Sequence, residues 1–117
     1  MPYQKYDIVE ANFNPKKGHV QAGIRPAIVI SSNLFNGHSP TLILVPLTSQ
    51  KKKIFPSEFI ILASPVNGLT LESRFLGSQV TTVDASFVSR KIGILEPKYY
   101  DALEECISLA LDLTRDF

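Results

Sequence analysis

The sequence predicts a mainly β protein, a small and partly closed antiparallel barrel carrying one C-terminal helix. Three observations point there. The apolar segments are short and rich in Val and Ile, and they follow one another without the strand–helix alternation of a parallel α/β sheet. Helical periodicity is confined to the end of the chain, and one helix cannot build a bundle. Long Val/Ile strands expose edges that template unwanted pairing, and closing the sheet removes those edges.

The elements follow in order. Tyr6–Phe13 alternates polar and apolar residues as a first strand. The next stretch, 14–23, holds Pro15, Gly18 and Gly23 and reads as a long loop. Arg25–Ser32 is a β-branched run with the composition of a buried strand, and Pro26 fits only near its beginning, where a missing N–H does no damage. A connector follows over 33–40, with room for a helical turn at Asn33–Asn36. Thr41–Leu47 is the second buried strand, and Thr48–Pro56 a loop carrying Lys51, Lys52 and Lys53. Strands are expected at Glu58–Leu62, Leu71–Leu76, Gln79–Val83 and Ser89–Leu95, with a turn at Ser64–Gly68 and a bulge at Gly77. Pro97 suits a first helical turn. From Tyr99 onward Leu103, Cys106, Ile107, Ala110, Leu111 and Leu113 recur at helical spacing.

A chain of 117 residues fits a single domain over 1–117. No apolar run approaches the roughly 20 residues of a membrane span. The first residues lack the charged-then-apolar layout of a signal peptide, so a cytoplasmic location is expected. The lone Cys106 cannot form an internal disulfide, and its apolar helical neighbours give it a core role. The net charge of +1 conceals an asymmetry. Residues 101–117 hold five acids against Arg115 alone, which leaves a basic body compatible with a polyanion and equally with an ordinary solvated surface.

Metal chemistry has little to build on. His19 and His38 are isolated, and HExxH, CxxC and Asp-rich calcium loops are missing, so neither metal nor cofactor is expected. Glycine-rich nucleotide loops and a GxSxG elbow are missing too. What the residues offer is a constellation at two strand ends. Arg25 opens one buried strand, and Thr48, Ser49 and Gln50 follow the next. If the two run antiparallel, these ends share one edge of the sheet, with three lysines behind them. A guanidinium fork matches a phosphate, and a threonine hydroxyl can donate to a phosphate oxygen. Each piece also has a plain structural reading: a strand-edge cap for Arg25, a turn residue for Thr48 and a solvated loop for the lysines.

Taken in order, the segments resemble the MazF/PemK family of bacterial toxins. The likeness runs from Asp7-Ile8-Val9 through Gly18–Ile30 and the Ser32–Asn36 segment. It continues through Val45-Pro46-Leu47-Thr48-Ser49, Gly68-Leu69, Gln79–Asp84 and Lys91–Leu95 to the terminal helix. The GIRP strand and the PLTS strand end are its most specific parts. The resemblance implies an SH3-like barrel with a C-terminal α-helix, working as a homodimer beside a cognate antitoxin. It further implies metal-independent, sequence-specific cleavage of single-stranded RNA to 2′,3′-cyclic phosphate and 5′-hydroxyl ends. The family's catalytic positions fall on Arg25 and Thr48, and in its PemK branch also on His19. RNA contacts are expected from Lys16, Lys17, Lys51, Lys52 and Lys53 on phosphates, from Gln21 and Gln79 on bases, and from Ser49 and Gln50 beside Thr48. Three positions depart from the pattern: Val20 and Ser78 stand where relatives carry acids, and Thr81 where they carry arginine. The proton carriers therefore stay open, with His19 the natural candidate near neutral pH. The alternatives are a CcdB-like toxin, a family that shares this barrel and binds DNA gyrase through its terminal helix, and a binding module that keeps the toxin fold but cuts RNA only weakly.

Overall fold

A computed structural model describes residues 3–13, 23–50 and 54–113. The described residues form seven strands: β1 (Asp7–Asn12), β2 (Ile24–Val29), β3 (Thr41–Thr48), β4 (Glu58–Ile61), β5 (Ser73–Leu76), β6 (Thr81–Asp84) and β7 (Val88–Ile94). A single-turn helix α1 (Asn33–Asn36) links β2 to β3, and α2 (Tyr100–Leu111) is the last element among the described residues. Every pairing is antiparallel, in the order β4-β5-β3-β2-β1-β7, and β6 pairs separately with β3.

The long strand β3 organises the molecule. Its first half, Thr41–Leu44, pairs with β6, while Leu47 and Thr48 at its end pair with β5. Alternate residues feed two apolar clusters. Ile8, Ile28, Val45 and Leu47 join Phe75, Leu103 and Cys106 in one, and Val9, Ala27, Val29, Leu42 and Leu44 join Phe13 and Val88 in the other. Burial on both faces explains why β2 and β3 read as near-continuous apolar runs rather than alternating ones.

Strands β4 and β7 at the two ends of the order do not pair, so the sheet is barrel-like without being fully hydrogen-bonded shut. The segment 64–68 fills that corner. Ile94 N–H donates to Val66 O at 3.1 Å, and Gly68 has φ +72 where a Cβ would collide with the Ile92 carbonyl. Only glycine meets both demands. Asn67 is fully buried here: its Oδ1 accepts from Ser64 N–H at 3.1 Å and Leu69 N–H at 3.0 Å. Its Nδ2 donates to Leu62 O at 2.9 Å and Glu96 Oε1 at 3.0 Å. Glu96 also accepts from Ser64 Oγ at 2.8 Å. Burial raises its carboxyl, but these hydrogen bonds and the charge of Lys98 outweigh that and hold it below the usual carboxylate range.

Tyr6, just before β1, ties the sheet to α2. Its ring stacks on Tyr100 at 3.7 Å, and its hydroxyl donates to Glu104 Oε2 at 2.6 Å. Burial, then the hydrogen bond and charge of Glu104, push the phenol well above its ordinary range. Tyr6 holds φ 75, a conformation that typically costs about 1–3 kcal/mol and persists only where surrounding contacts over-determine it.

Several element ends differ from the sequence expectation. β2 stops at Val29, because Ile30 and Ser31 turn their N–H groups onto Ile43 O and the chain enters α1. β5 begins at Ser73, not Leu71, which is 60% exposed. The bulge expected at Gly77 is a turn instead: β5 and β6 pair with different halves of β3, and the chain must change partners between them. A Cβ on Gly77 would strike Ser57 O and lie 3.2 Å from Cys106 Cβ. The register irregularities fall in the β1–β7 pairing. β6 is followed by a 3-10 turn, Ala85–Phe87, capped by Asp84 Oδ1 accepting from Ser86 N–H at 2.9 Å. Cys106 is buried in the core, as its helical neighbours indicated. Leu111 and Leu113 are exposed, since Asp112 turns left-handed (φ 55) and ends the helix there.

Candidate active site

β2 and β3 pair through Ala27↔Pro46, Ile28↔Val45 and Val29↔Leu44. Continuing that register by two residues sets Arg25 opposite Thr48, so the two strand ends do share an edge. Arg25 Nη1 donates to Leu47 O at 3.4 Å, a long bond that aims the guanidinium across the β3 end. Partial burial lowers its pKa from the ordinary arginine value. Desolvation works against the charged form, and a bound anion would offset that penalty. Thr48 is only 4% exposed, and its Oγ1 accepts from Gln50 N–H at 3.2 Å. Among the described residues the hydroxyl proton has no acceptor, which leaves it free to donate to a ligand.

Both side chains line a cleft of about 310 Å³, together with Ser49, Gln50, Thr70 and Ser73. Leu47, Leu69 and Leu71 give it an apolar wall. A cationic fork, a donor hydroxyl and an apolar wall together can hold a phosphate and stabilise added charge on it. Gln79 does not line this cleft; its N–H donates to Leu76 O at 2.8 Å and its carbonyl accepts from Thr81 Oγ1 at 2.9 Å. His19, Lys16, Lys17, Gln21, Lys51, Lys52 and Lys53 lie outside the described residues. Among the described residues no group of three His, Cys, Asp or Glu side chains gathers as a metal site would need.

The sequence reading missed Arg74. It sits on β5 paired with Thr48 on one side and Ile60 on the other, so the rung across the sheet runs Arg25, Thr48, Arg74, Ile60. Directly opposed residues of antiparallel strands share a face. Arg74 is 7% exposed, and its Nε lies 3.3 Å from Glu58 Oε1. That distance makes an ion pair without the alignment of a hydrogen bond, and among the described residues Nε and Nη1 have no hydrogen-bond partner. An arginine inside SRFL looks like a solvated strand position in sequence. Only the topology, which places β5 beside the end of β3, reveals its neighbourhood.

Residues 4–111 match the family described as PemK-like, MazF-like toxin of type II toxin-antitoxin system. Endoribonuclease EndoA of Bacillus subtilis (strain 168) is 28% identical over 113 residues, covering 97% of both chains. Among solved structures, MazF from Deinococcus radiodurans is 25% identical with a TM-score of 0.78, covering 97% of this chain and 96% of its own. An endoribonuclease from a mycobacterial species, solved in complex with its cognate antitoxin, superposes with a TM-score of 0.78 at 18% identity. It covers 97% of this chain and 99% of its own, and at that identity it speaks to the fold.

Proposed function

The chain belongs to the PemK-like, MazF-like toxins of type II toxin–antitoxin systems, and on that premise we propose that it cuts single-stranded RNA with Arg25 and Thr48 as its phosphate-holding pair. The observation that carries this reading is their shared cleft, with the guanidinium across the strand end from the threonine hydroxyl. Endoribonuclease activity is the named function of the B. subtilis relative aligned along nearly the whole chain.

In the reaction the 2′-hydroxyl attacks its own phosphorus, forming a P–O2′ bond, and the P–O5′ bond breaks. Arg25 and the Thr48 O–H bind the non-bridging oxygens and stabilise the negative charge that grows there. The 2′-hydroxyl proton goes to His19 as general base, and the leaving 5′ oxygen takes a proton from water. No metal takes part in these steps. The products are a 2′,3′-cyclic phosphate and a 5′-hydroxyl end. Lysines 16, 17, 51, 52 and 53 meet phosphates, Gln21 and Gln79 meet bases, and Ser49 and Gln50 line the strand's path beside the cut.

The working unit in this reading is one toxin domain over 1–117, paired as a homodimer in the cytoplasm and held in check by an antitoxin. Among the described residues no helix is long and apolar enough to cross a membrane. The basic body suits an acidic partner segment through charge steering. Incubation with long single-stranded RNA in EDTA tests the proposal. Discrete cuts with 5′-hydroxyl ends, lost in Thr48→Ala, support it. Intact RNA overturns it, and gyrase inhibition by the same sample would mark the CcdB-like alternative.

A further inference from the structure

The rung that carries Arg25 and Thr48 continues into a second hollow of about 190 Å³. It shares Ser49, Gln50 and Ser73 with the main cleft, so a strand lying across the first site reaches the second directly. Its own walls are Arg74, Glu72, Ile54 and Ile60. Arg74 is the informative residue. A guanidinium buried to this degree ordinarily has its N–H groups satisfied, yet among the described residues Nη1 has no acceptor.

We infer that this hollow is a nucleobase subsite, resting on the RNA-cleaving reading above, and that it accepts guanine beside the cut. A phosphate fits it poorly. The Glu58 carboxylate against Arg74 Nε already balances the arginine's charge, and Glu72 adds an acid to the wall. A base fits on each count. Ile54 and Ile60 offer apolar surface to a flat ring, and Ile54 is 47% exposed, so that surface is open. Guanine presents O6 and N7 as acceptors for Arg74 and N1–H and N2–H as donors for Glu72. Adenine keeps the N7 acceptor but sets an N6–H donor where guanine has O6, so one Arg74 donor is left facing another donor. Discrimination of this kind is strong because the mismatched base leaves a buried donor unpaired.

The test reads base binding apart from cleavage. Guanosine 5′-monophosphate and adenosine 5′-monophosphate carry the same phosphate, so a difference between them belongs to the base. Each is titrated into the whole protein while the Ile54 and Ile60 methyls and the Arg74 Nε–H are followed by NMR. The expected result is a Kd for the guanine nucleotide about tenfold lower, with shifts at those three residues. Glu72→Gln, and Glu58→Gln combined with Arg74→Gln so that no buried charge is stranded, should level the two affinities. Equal affinities in the unaltered protein, or Arg74 shifts with inorganic phosphate alone, overturn the subsite. End mapping on a randomised RNA adds a second readout: guanine enriched at one position beside the cut, and the enrichment lost in Glu72→Gln. If no RNA is cut while guanine still binds selectively, the cleavage reading fails and the subsite stands.

Discussion

The 64–68 corner and the rung at the end of β3 are both buried polar clusters, and they differ in how completely their groups are partnered. At the 64–68 corner, both ends of the Asn67 amide and both oxygens of Glu96 have hydrogen-bond partners. On the rung at the end of β3, Arg74 Nη1 has no partner among the described residues, and the Thr48 hydroxyl proton has no acceptor. Burial of polar groups is costly unless each is bonded. The first cluster therefore stabilises the fold by itself, whereas the second holds donors that the proposed RNA ligand would satisfy. One corner is architecture and the other, in the proposed function, is where RNA is held.

Mutations can break that division. The largest effect belongs to the rung: Arg25→Ala or Thr48→Ala should each lower single-turnover RNA cleavage by about 10²–10³, the usual loss for one preorganised donor. Thermal melts of both variants should stay close to the parent, and a collapse of Tm instead would make Thr48 architectural. The corner should behave in the opposite sense. Asn67→Ala strands the Ser64 and Leu69 N–H groups and removes a partner of Glu96, at a cost of about 1–3 kcal/mol by denaturant unfolding. Its cleavage rate, measured well below the melting temperature, should be unchanged.

A pH series sharpens the contrast. Because the folded Glu96 carboxyl titrates below its ordinary value near 4.3, its contribution is present above that pH and fades as pH falls through the folded value. Urea midpoints measured from pH 7 down to pH 3 should fall less steeply in Glu96→Gln than in the parent. Equal slopes would show that the corner's hydrogen bonds do not depend on the charge. The smallest effect is expected at Arg90, whose pair with Glu10 at 3.4 Å is 64% exposed on the arginine side. Arg90→Ala should change stability by less than about 1 kcal/mol, with salt screening part of that.

Much of the fold was legible because it rests on local chemistry. β-branched runs, Pro26 near a strand start and the helical spacing from Leu103 to Cys106 each carry their own signal. The Arg25–Thr48 juxtaposition was legible too, since consecutive antiparallel strands bring the start of one to the end of the next. What escaped depends on contacts distant in sequence. Asn67 sits in an Asn-Gly pair that reads as an ordinary turn, and nothing local says that Leu62, Leu69 and Glu96 surround it. Arg74 escaped because β3 changes partners along its length, pairing with β6 first and β5 afterwards. No periodicity in β5 announces that its neighbour is Thr48. Gly77 misled for the same reason: a glycine between two short strands suits a bulge until the strands prove to have different partners.

That change of partners along β3 has a consequence in time. The strand contributes alternate residues to both apolar clusters and pairs with β2 over Leu44–Pro46, so opening either half of the barrel is expected to disturb the other. The amides of Leu44 and Val45 should then be among the last to take up deuterium, exchanging only when the whole chain comes apart. Thr48 hangs on the end of that slow strand. In the proposed function this would hold the Thr48 hydroxyl in place for as long as the molecule is folded, so that RNA reaching the cleft would meet a donor with no search to complete.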